Sequence, residues 1–201
     1  YLRNNPESRF FSKKGLILGG SHSPSPLNSE AHQGDLSAVL LQNLNPLVNL
    51  IRVPKKPIIL MDEWESKIKA IVENTWNKDV NSLSGVPSWM LVLIKAVLKK
   101  TGREYLTDVW PNLEVFFHGG ISFEPYREQY KTLIPSNKMH YMETYNASEG
   151  FFGLQDDPSD PAMSLMVDYD VFYEFIPMDE FGSDHPTVVP LWGCLLYTSD
   201  A

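Results

Sequence analysis

Three short apolar runs that each stop at a turn constrain this chain most. Leu16 to Leu18 lies between Gly15 and Gly19-Gly20, and Leu113 to Phe117 lies between Pro111 and Gly119-Gly120. Met139 to Tyr145 runs into Asn146-Ala147-Ser148-Glu149-Gly150. Apolar runs of this length, bounded by turn formers, read as strands. Between them stand segments with helical spacing. Leu36, Val39, Leu40 and Leu44 form one stripe; Trp64, Ile68, Ile71, Val72 and Thr75 form a second. A third helix opens at Ser84-Gly85-Val86-Pro87 and ends at Lys99-Lys100-Thr101-Gly102. Strands alternating with helices predict an α/β domain, a mixed or partly parallel sheet flanked by helices.

Local chemistry sets the expected boundaries. Asp35 and Asp62 stand where helix N-caps belong, because a carboxylate can accept the free N–H groups of a first turn. Asn45-Pro46 ends the first helix, and Pro54 and Pro57 mark a bend. Glu63, Glu65, Lys67, Lys69 and Glu73 read as a solvated face of the second helix, with pairs four residues apart. The third helix is apolar on nearly every side from Trp89 to Val97, which predicts burial. Gly102 suits its stop, and the lysines suit its negative end. Pro125 starts a short helix carrying Tyr126, Tyr130, Leu133 and Ile134. Phe151 to Leu154 and Val171 to Ile176 read as later strands, with Phe151 and Phe152 on opposite faces as core residues. Ser21 to Gln33 and Asp156 to Pro161 read as loops.

Composition excludes several classes. Hydrophobic residues make up 43% and charged residues 21% of 201, the balance of a globular domain. A net charge of −8 argues against a nucleic-acid partner. The run Trp89 to Ile94 is broken by Lys95, far short of a membrane span, so no membrane partner is expected. The lone cysteine, Cys194, allows neither a disulfide framework nor a cysteine zinc site, which fits a reducing cytoplasmic setting. No P-loop, nucleophile elbow or His-x-x-x-His is present.

The chemistry concentrates in Tyr145-Asn146-Ala147-Ser148-Glu149. Open α/β sheets bind ligands beyond the carboxyl ends of their strands. A ring there can stack on a base, a hydroxyl can bond a phosphate and a carboxylate can hold a divalent cation. A plain strand and turn accounts for the same residues when they are taken alone.

The surrounding motifs, in their order, carry a resemblance. Gly19-Gly20-Ser21-His22, Gly34-Asp35-Leu36-Ser37-Ala38-Val39 and Gly85-Val86-Pro87-Ser88-Trp89 come first. Trp110-Pro111-Asn112 then leads through Leu113 to His118-Gly119-Gly120, the Tyr-Asn-Ala-Ser-Glu run and Phe172-Tyr173-Glu174-Phe175-Ile176-Pro177. This set resembles the acyl-acid amido synthetases, the family named after plant auxin-responsive genes, and looks closest to its bacterial branch. That family is part of the adenylate-forming superfamily. The resemblance runs from Tyr1 to Gly193 and implies the central part of a large N-terminal adenylation domain, 1–193.

The resemblance implies a ligase. ATP would activate a small carboxylic acid as an acyl-adenylate, and an amino acid amine would take the acyl group. Tyr145 would pack against adenine, Ser148 would approach the α-phosphate, and Glu149 would help hold Mg2+. His118-Gly119-Gly120 matches the family's turn beside adenine; His118 itself reads first as a structural hydrogen-bonder. Val86, Pro87 and Trp89 are the expected wall of the acid pocket, with Trp89 equally able to serve as core. Tyr173 would line the pocket or fill the core.

The chain departs from the family pattern. The Ser/Thr/Gly-rich phosphate loop, the Tyr-Arg-x-Gly-Asp motif and the small C-terminal domain have no counterpart here. The expectation is an internal fragment, inactive alone. Residues 194–201 do not continue the pattern and are expected to be a non-native tail. A thiol acceptor, as in CoA ligation, and a non-catalytic binder of nucleotide or acid stand as alternatives.

Overall fold

The structure is a computed structural model and describes residues 1–24 and 32–194. In chain order the elements are β1 (Lys14–Leu18), β2 (His22–Pro24), β3 (His32–Gly34), α1 (Leu36–Gln42), α2 (Val48–Ile51), β4 (Arg52–Val53), α3 (Lys56–Ile59) and α4 (Trp64–Thr75). There follow β5 (Val80–Gly85), α5 (Pro87–Thr101), α6 (Leu106–Val109), β6 (Val115–Gly119), α7 (Arg127–Leu133), β7 (His140–Ala147) and β8 (Gly150–Leu154). The chain closes with β9 (Ser164–Leu165), β10 (Glu174–Phe175), β11 (Val189–Pro190) and α8 (Leu191–Cys194).

Seven strands form one sheet in the order β4-β1-β5-β6-β7-β8-β9. The first five run parallel, and β8 and β9 join antiparallel, so the sheet is mixed as expected. The apolar runs become its centre because strands covered by helices must be apolar. Leu16, Leu83 and Phe116 occupy one cross-strand row and are fully buried. Ile68, Ile71 and Val72 of α4, Met90, Leu93, Ile94 and Val97 of α5, and Tyr130 of α7 complete that core. Across the sheet, Tyr1 and Phe10 each set their rings 5.8 Å from Phe117, edge to face.

Helix α5 follows the expectation at both ends. Pro87 stands in its first turn, and Gly102 ends it in the left-handed region at φ 65°, where a side chain is strained. Val92 is nonetheless exposed, so the helix shows one face to solvent. The other helices depart from the sequence reading in detail. In α1 the buried residues are Ala38 and Leu41, whereas Val39 and Leu40 are exposed. Leu41 and Ser37 fill the space beside Gly19, and that contact selects their stripe over the more apolar one. Asp35 holds the N-cap position without a side-chain cap bond. Helix α4 is capped by Glu63, not Asp62: its carboxylate accepts from the Glu65 N–H at 2.9 Å and the Ser66 N–H at 2.6 Å. Lys67 belongs to the buried face, not the solvated one.

Three further readings need correction. The two ends of the Ser21–Gln33 loop pair as β2 and β3, and residues 25–31 lie outside the described residues. The strand expected over Val171–Ile176 shrinks to β10, which pairs antiparallel with β11. Phe151 and Phe152 are half-buried rather than core, each packed on a tyrosine near the sheet edge. Of the expected tail, Cys194 ends α8, and 195–201 lie outside the described residues. Among the described residues no helix is long and apolar enough to cross a membrane.

Candidate functional site

The sequence-predicted residues gather where three parallel strands end. Strand β5 delivers Gly85 and then Val86-Pro87, β6 delivers His118-Gly119-Gly120, and β7 delivers Thr144 and Tyr145. The register places Gly85 beside His118 and Gly119 beside Thr144. Glycine is required at this mouth. A Cβ on Gly119 would lie 2.3 Å from the Thr144 carbonyl oxygen. Gly120 adopts φ 83°, a conformation that suits glycine alone, and its bare Cα faces the Val86 side chain. Gly120 is exposed at the end of β6, whereas Gly85 and Gly119 are half-buried.

The signature run is a hairpin, not a loop that follows a strand. Strand β7 continues through Ala147, Ser148-Glu149 forms the two-residue turn, and β8 returns from Gly150. Ala147 and Gly150 pair directly, which fixes the turn as the tightest kind. A register shift between Tyr145 and Asn146 bends the ladder. Tyr145 is 56% exposed, and Ser148 and Glu149 are exposed at the tip. Behind the hairpin, Gln155 accepts the Glu143 N–H at 3.1 Å and donates to the Asp160 carbonyl at 2.7 Å, which anchors the loop after β8.

Aromatic packing sorts the remaining residues into two groups. The Tyr145 ring lies 5.3 Å from Phe152, Phe152 lies 6.2 Å from Tyr173, and Tyr173 stacks 6.2 Å from Phe175. Tyr173 thus joins the hairpin group. Trp89, in the first turn of α5, packs 5.6 Å from Trp64 of α4 and leans on the main core. Val86 and Pro87 stay with Trp89, and Tyr130 fixes this corner by donating its hydroxyl to the Pro87 carbonyl at 2.7 Å.

His118 is 3% exposed and stacks 4.2 Å from Phe123. Among the described residues its Nδ1 has no hydrogen-bond partner. Burial first, and the nearby Arg127 charge second, push the imidazole down to about 4, so the ring is neutral near pH 7. Arg127 lies over the Phe123 ring at 5.0 Å and pairs with Glu124.

Sequence reasoning missed Lys67. Its Nζ donates to the carbonyls of Gly19 and Gly20, just past the end of β1. A signal was present: Lys67 stands three residues after Trp64 and four before Ile71, inside the apolar stripe. The Thr144 hydroxyl bond to the His118 carbonyl had no sequence signal, because it depends on register.

Among the described residues no group of three His, Cys, Asp or Glu side chains could hold a metal ion by itself. Glu149 is thus a single carboxylate at a turn. At the opposite end of the sheet a cleft of about 1040 Å³ opens around Tyr1, Arg9, Glu114 and His140. None of the residues singled out for nucleotide or acid lines it.

Comparison with known proteins places the chain. Among curated proteins none matches. Among solved structures the fold is similar to a "GH3.15 acyl acid amido synthetase", with TM-score 0.59 and 13% identity, covering 94% of this chain and 45% of that one. This chain therefore spans less than half the length of that protein. A long-chain-fatty-acid-CoA ligase (FadD1) from Archaeoglobus fulgidus gives TM-score 0.36 at 13% identity, covering 76% of this chain and 27% of that one. The model of the GH3 family N-terminal domain matches residues 3–139, well over half of the sequence. The chain belongs to the GH3 family.

Proposed function

We propose that this chain is part of an ATP-dependent ligase that adenylates a small carboxylic acid and passes the acyl group to the amine of an amino acid. One observation carries the reading. The Gly119-Gly120 cradle and the Tyr145–Glu149 hairpin stand side by side at the carboxyl ends of β6 and β7. That is where open α/β sheets bind nucleotides.

A carboxylate is a poor acyl donor, because its leaving group is oxide. Transfer of AMP supplies a better one and expels pyrophosphate. The chain's own residues would position the partners, which is a major source of rate in such reactions. The exposed Tyr145 ring offers a face for adenine. The exposed backbone of Gly120, at the end of β6, would lie beside the base. Ser148 presents a hydroxyl donor to the α-phosphate. Glu149 suits Mg2+ as one carboxylate that acts together with substrate phosphates, the usual way this ion is held. Val86, Pro87 and Trp89 would wall the acid, and we place Tyr173 behind Tyr145 as its support. We assign the reaction to the cytoplasm of a bacterium, in keeping with the motif resemblance.

Carboxylate-dependent exchange of pyrophosphate into ATP, in the full-length protein, tests this directly. Exchange with some member of an acid panel is expected. A folded full-length protein that shows none across a broad panel would end the adenylation reading and favour a non-catalytic binder.

A further inference from the structure

Helix α4 makes two separate contacts to one side of the site. Lys67 is 2% exposed, and its Nζ donates to Gly19 O at 2.7 Å and Gly20 O at 3.1 Å. One turn earlier, Trp64 packs on Trp89 at 5.6 Å. Positions three apart share a helix face, so neighbouring side chains of α4 hold the mouth of β1 and the start of α5. The Gly19-Gly20 turn is clasped from α1 as well. The Gly20 N–H donates to Ser37 Oγ at 2.8 Å, and the Asp35 carboxylate fills the place of a Gly20 Cβ, 1.9 Å from it.

A buried ammonium is costly. Burial lowers the affinity of Lys67 for its proton, and the charges of Asp35 and Asp62 oppose that effect. A hydrocarbon side chain would fill the slot without this cost. What the ammonium adds is a fixed position for two peptide carbonyls beside β5. Strand order decides which half of the site benefits. Strand β1 borders β5, where Val86-Pro87 begins, and lies two strands away from β6 and three from β7 at most.

We propose that Lys67 is a positioning residue for the acid half of the site. Through Gly19-Gly20 it sets one rim of the subsite for the apolar body of a monocarboxylate, and Trp89, seated on Trp64, is the facing wall. This rests on the adenylation reading above.

The test uses the full-length protein with benzoate, phenylacetate and hexanoate, measuring pyrophosphate exchange and, by calorimetry, direct binding. In Lys67→Met, KM for the acid is expected to rise by about tenfold while KM for ATP stays within about twofold. Equal changes in both, or no change in either, overturn the proposal. Trp64→Phe disturbs the other contact and is expected to shift acid KM in the same direction, which keeps the test decisive if Lys67→Met does not fold; an unchanged acid KM there overturns it. If wild-type protein binds an acid without exchange, the adenylation reading fails, and Lys67 keeps its role only if Lys67→Met weakens that binding. Protein that binds none of the three acids overturns the subsite.

Discussion

The Thr144 hydroxyl donates to the His118 carbonyl at 3.1 Å, a side-chain bond that ties β7 to β6 at the end where the candidate site lies. Backbone pairing already holds His118 against Glu143 and Gly119 against Thr144. The extra bond fixes the mouth where a register slip would misplace Tyr145. Thr144→Val keeps the shape and removes the donor, so it is expected to lower stability by about 1 kcal/mol. Urea denaturation measures this, and an unchanged midpoint would show that the bond contributes nothing.

Gly119→Ala and Gly102→Ala separate two reasons for glycine. A Cβ at 119 would collide with the Thr144 backbone oxygen at 2.3 Å, so β6 and β7 must part. At 102 nothing among the described residues lies within 4 Å, and the left-handed backbone at φ 65° is what resists a side chain. The expected costs are about 3 kcal/mol for the first and about 1 kcal/mol for the second. Thermal unfolding of the two variants gives the order, and a reversed order would refute the steric account.

His118 predicts an acid limb. Its pKa falls from 6.5 unfolded to about 4 folded, first through burial and then through Arg127. The folded state therefore favours the neutral ring. This stability is full above about pH 6.5 and is lost as pH falls through about 4, by about 3 kcal/mol in all. His118→Phe keeps the stack on Phe123 and removes the titration, so its stability should vary less across that window. Denaturation midpoints between pH 7 and pH 4 would show it; parallel pH curves for the two proteins would assign the acid limb to other groups.

Glu149→Gln tests the turn. The residue is exposed in a surface turn, so stability is expected to stay within about 0.5 kcal/mol. Mg2+-dependent adenylation by the full-length protein should fall by roughly tenfold or more if the carboxylate holds the ion. Undiminished exchange in a folded variant would remove Glu149 from that role.

The sequence alone marked β1, β6, β7 and the long helices α4 and α5, but not the central strand β5, whose run Val80–Gly85 has only Val80 and Leu83 as large apolar residues. The apolar runs that stop at glycine became β1, β6 and β7, and Pro87 and Gly102 bounded α5 as read. These are local properties: a proline without an N–H, a glycine free to turn left-handed, a periodicity within one segment. The tertiary structure decided which face of each element is buried. Leu40 lost to Leu41 because Gly19 lies opposite, and Lys67 entered the core because two carbonyls at the end of β1 await it. It also turned the Tyr145 run into a hairpin, and gave Tyr173 to Tyr145 through Phe152 while Trp89 went to Trp64. Such pairings join residues far apart in the chain. Hydrophobic burial is non-directional, so it favours every apolar stripe alike until a neighbouring surface selects one of them.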